Sequence, residues 1–286
     1  MSIMRGWLRA AAAAKAMTLA ITLLATSAPP VAGADPGQLS GATAPVGPAQ
    51  AWLVADMVSG RMLGGRDTYG QYAPASTIKT LLAMVVFDQL PLDSAARATA
   101  AHTDVECSCV GLVPGQVYTA RQLLDALLMV SGNDAANMLA DMVGGTPAAI
   151  AQMNAKAQQV GAVSTRAGSP SGLDGPGWES VSSPHDLAVI YRAALNYPMF
   201  APILHQSTAA FPDGNGGFKQ IASHDPLLTS YPGFIGGKTG YTNLAQETYV
   251  AMAQRNGKRL IAVMMYGSEE LWDQGRALLD WGFSQP

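Results

Sequence analysis

Apolar residues along the 286-residue chain follow two rhythms. Toward both ends they form short, nearly continuous runs split by turn residues. "AWLVADMVSGRMLGG", from Ala51, is an apolar run, a Ser-Gly turn and a second short run, the pattern of a hairpin. "ETYVAMAQRNGKRLIAVMMYG", from Glu247 to Gly267, places two longer runs around Asn-Gly, a strong short-range hairpin signal. Between them the rhythm is helical. Ser76 to Leu90 predicts a helix with Ile78, Leu81, Leu82, Val85 and Val86 on its apolar side. Thr119 to Val130 predicts another, interrupted by Ser131-Gly132-Asn133 and resumed in "DAANMLADMVGG". Pro147 to Val160, Pro184 to Asn196 and Glu269 to Gly282 complete the helical set, and no internal repeat is present. Strands at both ends with helices between predict an α/β fold. The terminal strands are expected to pair in one antiparallel sheet, with the helical middle as a second lobe.

The first residues break this pattern. Arg5, Arg9 and Lys15 precede the short apolar stretch "AMTLAITLLATSA", and Ala32-Gly33-Ala34 offers small residues before Asp35. This is the arrangement of an export signal, too short for a comfortable membrane span. Residues 1–34 are expected to be cleaved as a signal peptide, leaving no stable membrane anchor, with retention as an uncleaved N-terminal anchor as the alternative. The Pro-, Gly- and Ala-rich stretch 35–50 reads as a flexible leader, and 51–286 as one domain, with no further C-terminal domain expected. Cleavage removes three basic residues and takes the net charge from −3 to −6, with no footprint for nucleic acid or anionic lipid. Apolar residues make up 49% of the chain, enough for a sizeable core. Export would also place Cys107 and Cys109, the two cysteines, in an oxidising compartment. A local bridge and free thiols both remain open, and either way the pair reads as structural. Two thiols alone fall short of a metal ligand set, and the four histidines, His102, His185, His205 and His224, read as structural or rim residues.

Three short patterns carry candidate chemistry. Ser76 and Lys79 stand at i, i+3, so on a helix they share a face. A serine needs a neighbour to take its proton, and a lysine serves when burial or a second cation keeps it neutral. Alone this is weak, since on the order of one chance S-x-x-K is expected in a chain of this length. Ser131-Gly132-Asn133 breaks a helix inside an apolar run, which costs stability unless those residues act. Lys238-Thr239-Gly240, in "GFIGGKTGYTN", could hold a carboxylate beside a close backbone. A phosphate-loop reading of the same stretch fails, because Pro232 stands where its opening glycine belongs.

Together, S-x-x-K, S-x-N and K-T-G in this order resemble the signature of penicillin-binding proteins and class A β-lactamases. The stretches "PASTIK", "LLDALLMVSGNDAANMLAD", "MNAKAQQVGA", "SGLDGPG", "YPGFIGGKTGYT" and "KRLIAVMMYG" narrow the likeness. Over Ala51 to Phe283 the chain resembles serine-type D-Ala-D-Ala carboxypeptidases, the low-molecular-mass penicillin-binding proteins. The resemblance implies a β-lactamase-like fold, an antiparallel sheet flanked by helices beside a helical lobe. It also implies an exported, periplasmic or envelope enzyme that trims peptidoglycan stem peptides and is acylated by β-lactams, with no metal or other cofactor. Ser76 would be the nucleophile, Lys79 its base and Ser131 a proton relay. Asn133 would bind the substrate amide, Lys238 and Thr239 its terminal carboxylate, and the N–H groups of Ser76 and Tyr241 would form an oxyanion hole. Two departures stand out. Ser171 replaces a histidine found in relatives, and Ser223-His224-Asp225 replaces an Asn-His-Asn.

Two other readings are weighed. A class A β-lactamase deacylates through an extra glutamate, in a pattern E-x-x-x-N. Glu106, Glu179, Glu247, Glu269 and Glu270 all lack the asparagine four residues on, and the middle motif is S-G-N rather than S-D-N. A non-catalytic wall-binding protein on the same fold would not need the full set of catalytic residue types.

Overall fold

The computed structural model describes residues 43–286. The expected signal peptide and the first half of the expected leader lie outside the described residues. A five-stranded antiparallel sheet, in the order β2-β1-β9-β8-β7, forms one layer. Its strands are β1 (Ala49–Asp56), β2 (Met62–Arg66), β7 (Phe234–Thr242), β8 (Gln246–Arg255) and β9 (Lys258–Gly267). The expected joining of the chain's two ends is present, with β1 paired to β9 from Ala49↔Gly267 to Asp56↔Leu260. Strand β1 starts at Ala49, so the last two residues of the expected leader belong to the sheet. The carboxamide oxygen of Gln274 takes the Ala49 N–H at 2.9 Å and fixes that start.

The central strands are buried on both faces, which explains their nearly unbroken apolar runs. Period-two alternation divides each run between two cores. In β9, Ile261, Val263 and Met265 face the helical body. Leu260, Ala262 and Met264 face the other way, toward α9 (Trp272–Ser284), where Leu278 and Leu279 meet them. On the helical side, α1 (Lys79–Gln89) is buried along its length from Lys79 to Val86. A helix apolar all round belongs in a protein's interior, and here its first residue is a lysine.

Around α1 lie α3 (Ala120–Met129), α4 (Asn133–Met142), α5 (Thr146–Val160) and α6 (Pro184–Ala194). Their ends follow from local chemistry. Thr119 and Gln122 form a reciprocal capping box at the start of α3, and Ser183 caps α6 by accepting from Asp186 N–H. Short elements that the apolar pattern does not reveal complete the lobe. They are β3 (Ala95–Arg97), α2 (Ala100–Thr103), β4 (Val117–Thr119), α7 (Phe200–Leu204), β5 (Thr208–Pro212), β6 (Phe218–Ala222) and α8 (Leu227–Ser230). Strands β3 and β4 form one small antiparallel pair and β5 and β6 another. Among the described residues no helix is long and apolar enough to cross a membrane.

Candidate active site

Ser76 lies on a short 3-10 turn, Ala75–Ile78, that runs directly into α1. The turn is held under tension and by neighbours. Ala75 has φ 47°, a left-handed conformation that costs a non-glycine residue roughly 1–3 kcal/mol. Gly172 packs on it so closely that a Cβ there would meet the Ala75 carbonyl oxygen at 2.0 Å. Strand β7 presses from the other side, where a Cβ on Gly240 would lie 2.7 Å from the Ser76 nitrogen. The glycine of K-T-G is therefore required by contact with the serine turn. Thr248 Oγ1 also donates in this corner, with the Pro74 and Gly240 carbonyls at 3.1 and 3.0 Å.

The Lys79 ammonium group is fully buried and has three oxygen neighbours, each at 2.7 Å: Ser76 Oγ, Asn133 Oδ1 and the Ser171 carbonyl. The Asn133 amide is oriented by its nitrogen, which donates to the Glu106 carbonyl at 2.6 Å. Burial, and then the charge of Lys238, pull Lys79 well below an ordinary lysine, while Asp134 acts the other way. Once neutral, Lys79 has a lone pair that needs a donor. Of its three neighbours only the Ser76 hydroxyl has a proton to offer, so the site aims a neutral amine at that hydroxyl.

Across the site, Ser131 sits between α3 and α4 with φ 61°. Its Oγ accepts from Lys238 Nζ at 2.9 Å, and the same ammonium donates to the Thr239 carbonyl at 2.7 Å. Burial lowers Lys238 to about 7, with the carboxylate of Asp225 opposing the fall. Burial raises Asp225, and the Tyr249 hydroxyl counteracts this by donating at 2.8 Å to one oxygen, with the other at 3.0 Å. The His224 side chain is lowered by partial desolvation and then by the charge of Lys238. Thr239 follows Lys238 on β7, and Tyr241, two residues further along the same strand, is exposed.

The structure thus links Ser76, Lys79 and Asn133 in one hydrogen-bonded set, and Ser131 with Lys238 in a second. Sequence reasoning missed two contributors. Ser171 was noticed for its departing side chain, yet its carbonyl is what touches Lys79, and a carbonyl leaves no trace in residue identity. Asp134, next to the motif, accepts from the N–H groups of Val110, Gly111 and Leu112 at 3.0, 2.8 and 2.9 Å and anchors the loop that holds Asn133. That loop contains the Cys107–Cys109 disulfide, with a Cα separation of 4.8 Å, which resolves the open question about these residues. Among the described residues no group of three or more His, Cys, Asp or Glu could hold a metal ion.

The chain is similar to known proteins over most of its length. The profile of the D-alanyl-D-alanine carboxypeptidases matches residues 39–269. The D-alanyl-D-alanine carboxypeptidase DacB2 of Mycobacterium tuberculosis is 55% identical over 245 residues, covering 84% of each chain. DacD of Salmonella typhimurium is 32% identical, covering 82% of this chain and 62% of that protein. Among solved structures, a D-alanyl-D-alanine carboxypeptidase of M. tuberculosis superposes with a TM-score of 0.84 at 53% identity, covering 86% of this chain and 95% of that one. The Streptomyces K15 DD-transpeptidase superposes with a TM-score of 0.78 at 28% identity, covering 84% and 99%. The chain belongs to the serine-type D-alanyl-D-alanine carboxypeptidases, and its antiparallel sheet with flanking helices is their β-lactamase-like fold.

Proposed function

We propose that this protein is exported and removes the terminal D-Ala of peptidoglycan stem peptides through an acyl-enzyme on Ser76. The observation that carries the reading is the set of three neighbours around Lys79, in which Ser76 alone can donate to a neutral amine. Lys79 takes the Ser76 proton as Oγ attacks the carbonyl of the penultimate D-Ala. The N–H groups of Ser76 and Tyr241 receive the oxyanion, a role supported by the close run of β7 past the serine turn. Asn133 contacts the substrate amide, and charged Lys238 with Thr239 holds the terminal carboxylate. Ser131, bonded to Lys238, passes a proton to the departing amine. Water then attacks the ester, with Lys79 again as base, and frees the shortened peptide.

A penicillin carries a carboxylate and a strained amide, so it acylates Ser76 by the same route. Its leaving group stays tethered and hinders water. Asp134, the carboxylate beside the S-G-N motif, directs both oxygens at backbone N–H groups, an arrangement that favours a structural role over activation of water. The acyl-enzyme with penicillin is therefore long-lived, in contrast to turnover by a β-lactamase. Mass spectrometry of a diacetylated Lys-D-Ala-D-Ala peptide should show loss of one D-Ala, and the intact protein should gain one penicilloyl group. Ser76→Ala should do neither. A penicilloyl adduct on that variant, or rapid release of penicilloic acid by the unaltered protein, would overturn the reading.

A further inference from the structure

The connection between α2 and β4, residues 104–116, has no regular secondary structure and borders the site. The Cys107–Cys109 bridge within it spans residues two apart. So small a ring removes little freedom from the unfolded chain, so global stability is a poor reason for it. Its effect is local. The ring encloses Ser108, whose carbonyl accepts the Asn133 N–H at 2.6 Å. Next to the ring, the Glu106 carbonyl accepts from the Asn133 side-chain nitrogen at 2.6 Å. That second bond decides which way the amide faces. With its nitrogen engaged by Glu106, Asn133 presents Oδ1 to Lys79 at 2.7 Å. The Ser108 hydroxyl adds a bond to the Val130 carbonyl at 3.3 Å, just before the S-G-N break.

We propose that the Cys107–Cys109 bridge is a positioning element for acylation: it shapes the Glu106–Ser108 backbone into the clamp that orients Asn133, and through Asn133 the base Lys79. The proposal rests on the acyl-serine reading. Opening the bridge leaves the remainder of the loop attached, because Asp134 still binds residues 110–112. The disturbance is thus confined to Glu106, Ser108 and Asn133. It has a directional consequence. The bond to Oδ1 favours the ammonium form of Lys79, so losing it lowers the pH at which Lys79 protonates. The charged groups acting on Lys79, Lys238 on β7 and Asp134 on α4, lie outside the bridge and stay in place.

The test compares acylation by a fluorescent penicillin, as a function of pH, for the oxidised protein, the reduced protein and Cys107→Ser/Cys109→Ser. Dithiothreitol opens the bridge by exchange. Its two thiols give up two protons and two electrons, the cysteines become thiols, and the reagent closes as its own cyclic disulfide. The expected result is acylation about ten- to a hundredfold slower at the plateau, as for a misplaced catalytic group, with the acid limb moved to lower pH. Reoxidation should restore both. In an Asn133→Ala background, opening the bridge should add little, since the coupling runs through that side chain. Wild-type rates and an unmoved acid limb in the folded double variant would overturn the proposal. So would slowing that only tracks the unfolded fraction. If the double variant fails to fold, the reduced natural protein carries the same comparison. If the oxidised protein takes up no penicillin at Ser76, the acyl-serine reading falls, and the role of the bridge with it.

Discussion

The start of α1 and the edge strand β7 each bring one buried lysine to the same site, and their surroundings differ in kind. Lys79 meets a hydroxyl, an amide oxygen and a backbone carbonyl, and burial and the other lysine push it toward neutrality. Lys238 meets a hydroxyl and a carbonyl, and a partly buried carboxylate, Asp225, supports its charge. One residue type is thereby tuned to two tasks. In the proposed reaction Lys79 accepts a proton and charged Lys238 holds an anion, and one carboxylate raises each, Asp134 for Lys79 and Asp225 for Lys238. Each sharpens the other, because a charged Lys238 helps keep Lys79 neutral.

The most severe way to break this division is to remove the base. Lys79→Met keeps the bulk of a long apolar stem and loses the amine. Acylation of Ser76 by penicillin and release of D-Ala should both fall by about 10²- to 10⁴-fold, the usual contribution of a general base. Stopped-flow labelling checks this, with thermal melting as the control for folding.

A smaller effect follows from Lys238. Activity on a carboxylate-bearing peptide needs Lys79 neutral and Lys238 charged, so it should be bell-shaped in pH. The acid limb reports protonation of Lys79, and the alkaline limb in kcat/KM reports loss of charge at Lys238, near 7 in the free enzyme. A peptide ending in a carboxamide should lose the alkaline limb while keeping the acid one. Lys238→Met should cost about 10- to 150-fold in kcat/KM for the acid peptide, in line with the ~1.5–3 kcal/mol of a charged hydrogen bond. Stability should move the opposite way. The folded pKa of Lys238 lies below its unfolded value, so its burial penalty is full below about 7 and fades as pH rises toward the ordinary lysine range. Lys238→Met should therefore raise the melting temperature most at mildly acidic pH.

How much of this was legible in the sequence depended on whether the information lay in a residue type or in a backbone path. The i, i+3 spacing of Ser76 and Lys79 and the break at Ser131-Gly132-Asn133 are properties of side chains in a local frame, and the structure places them together. The pairing of β1 with β9 followed from apolar runs at both ends. The Ser171 carbonyl could not be read, because every residue supplies one and only the fold selects which approaches Lys79. Strands β3 and β4 escaped notice because three residues each are too few for alternation to show. Strands β5 and β6 flank "DGNGG", whose turn chemistry was a usable signal. Cys107 and Cys109 looked remote from the motifs because Asn133 is far along the chain, and only the path of residues 106–112 joins them.

The smallest expected effect tests the counter-ion itself. Asp225 occupies a position where the related motif carries asparagine, so Asp225→Asn is a change the local fold should accept. The new carboxamide oxygen can still accept from the Leu227 N–H and the Tyr249 hydroxyl, which the carboxylate does now. The lost feature is the negative charge that raises Lys238. Lys238 should then lose its proton at a lower pH, and the alkaline limb should shift in the acid direction by a fraction of a pH unit or more. At pH 6 the variant should bind and process the acid peptide almost as well as the natural protein. At pH 8 its KM should rise several-fold, while a peptide ending in a carboxamide is unaffected. The acid limb carries a second signature. A Lys238 that is less often charged disfavours the Lys79 ammonium less, so that limb should move to higher pH and the bell should narrow from both sides. An unchanged alkaline limb would mean that Asp225 serves α8 and Tyr249 alone and does not set the charge of Lys238.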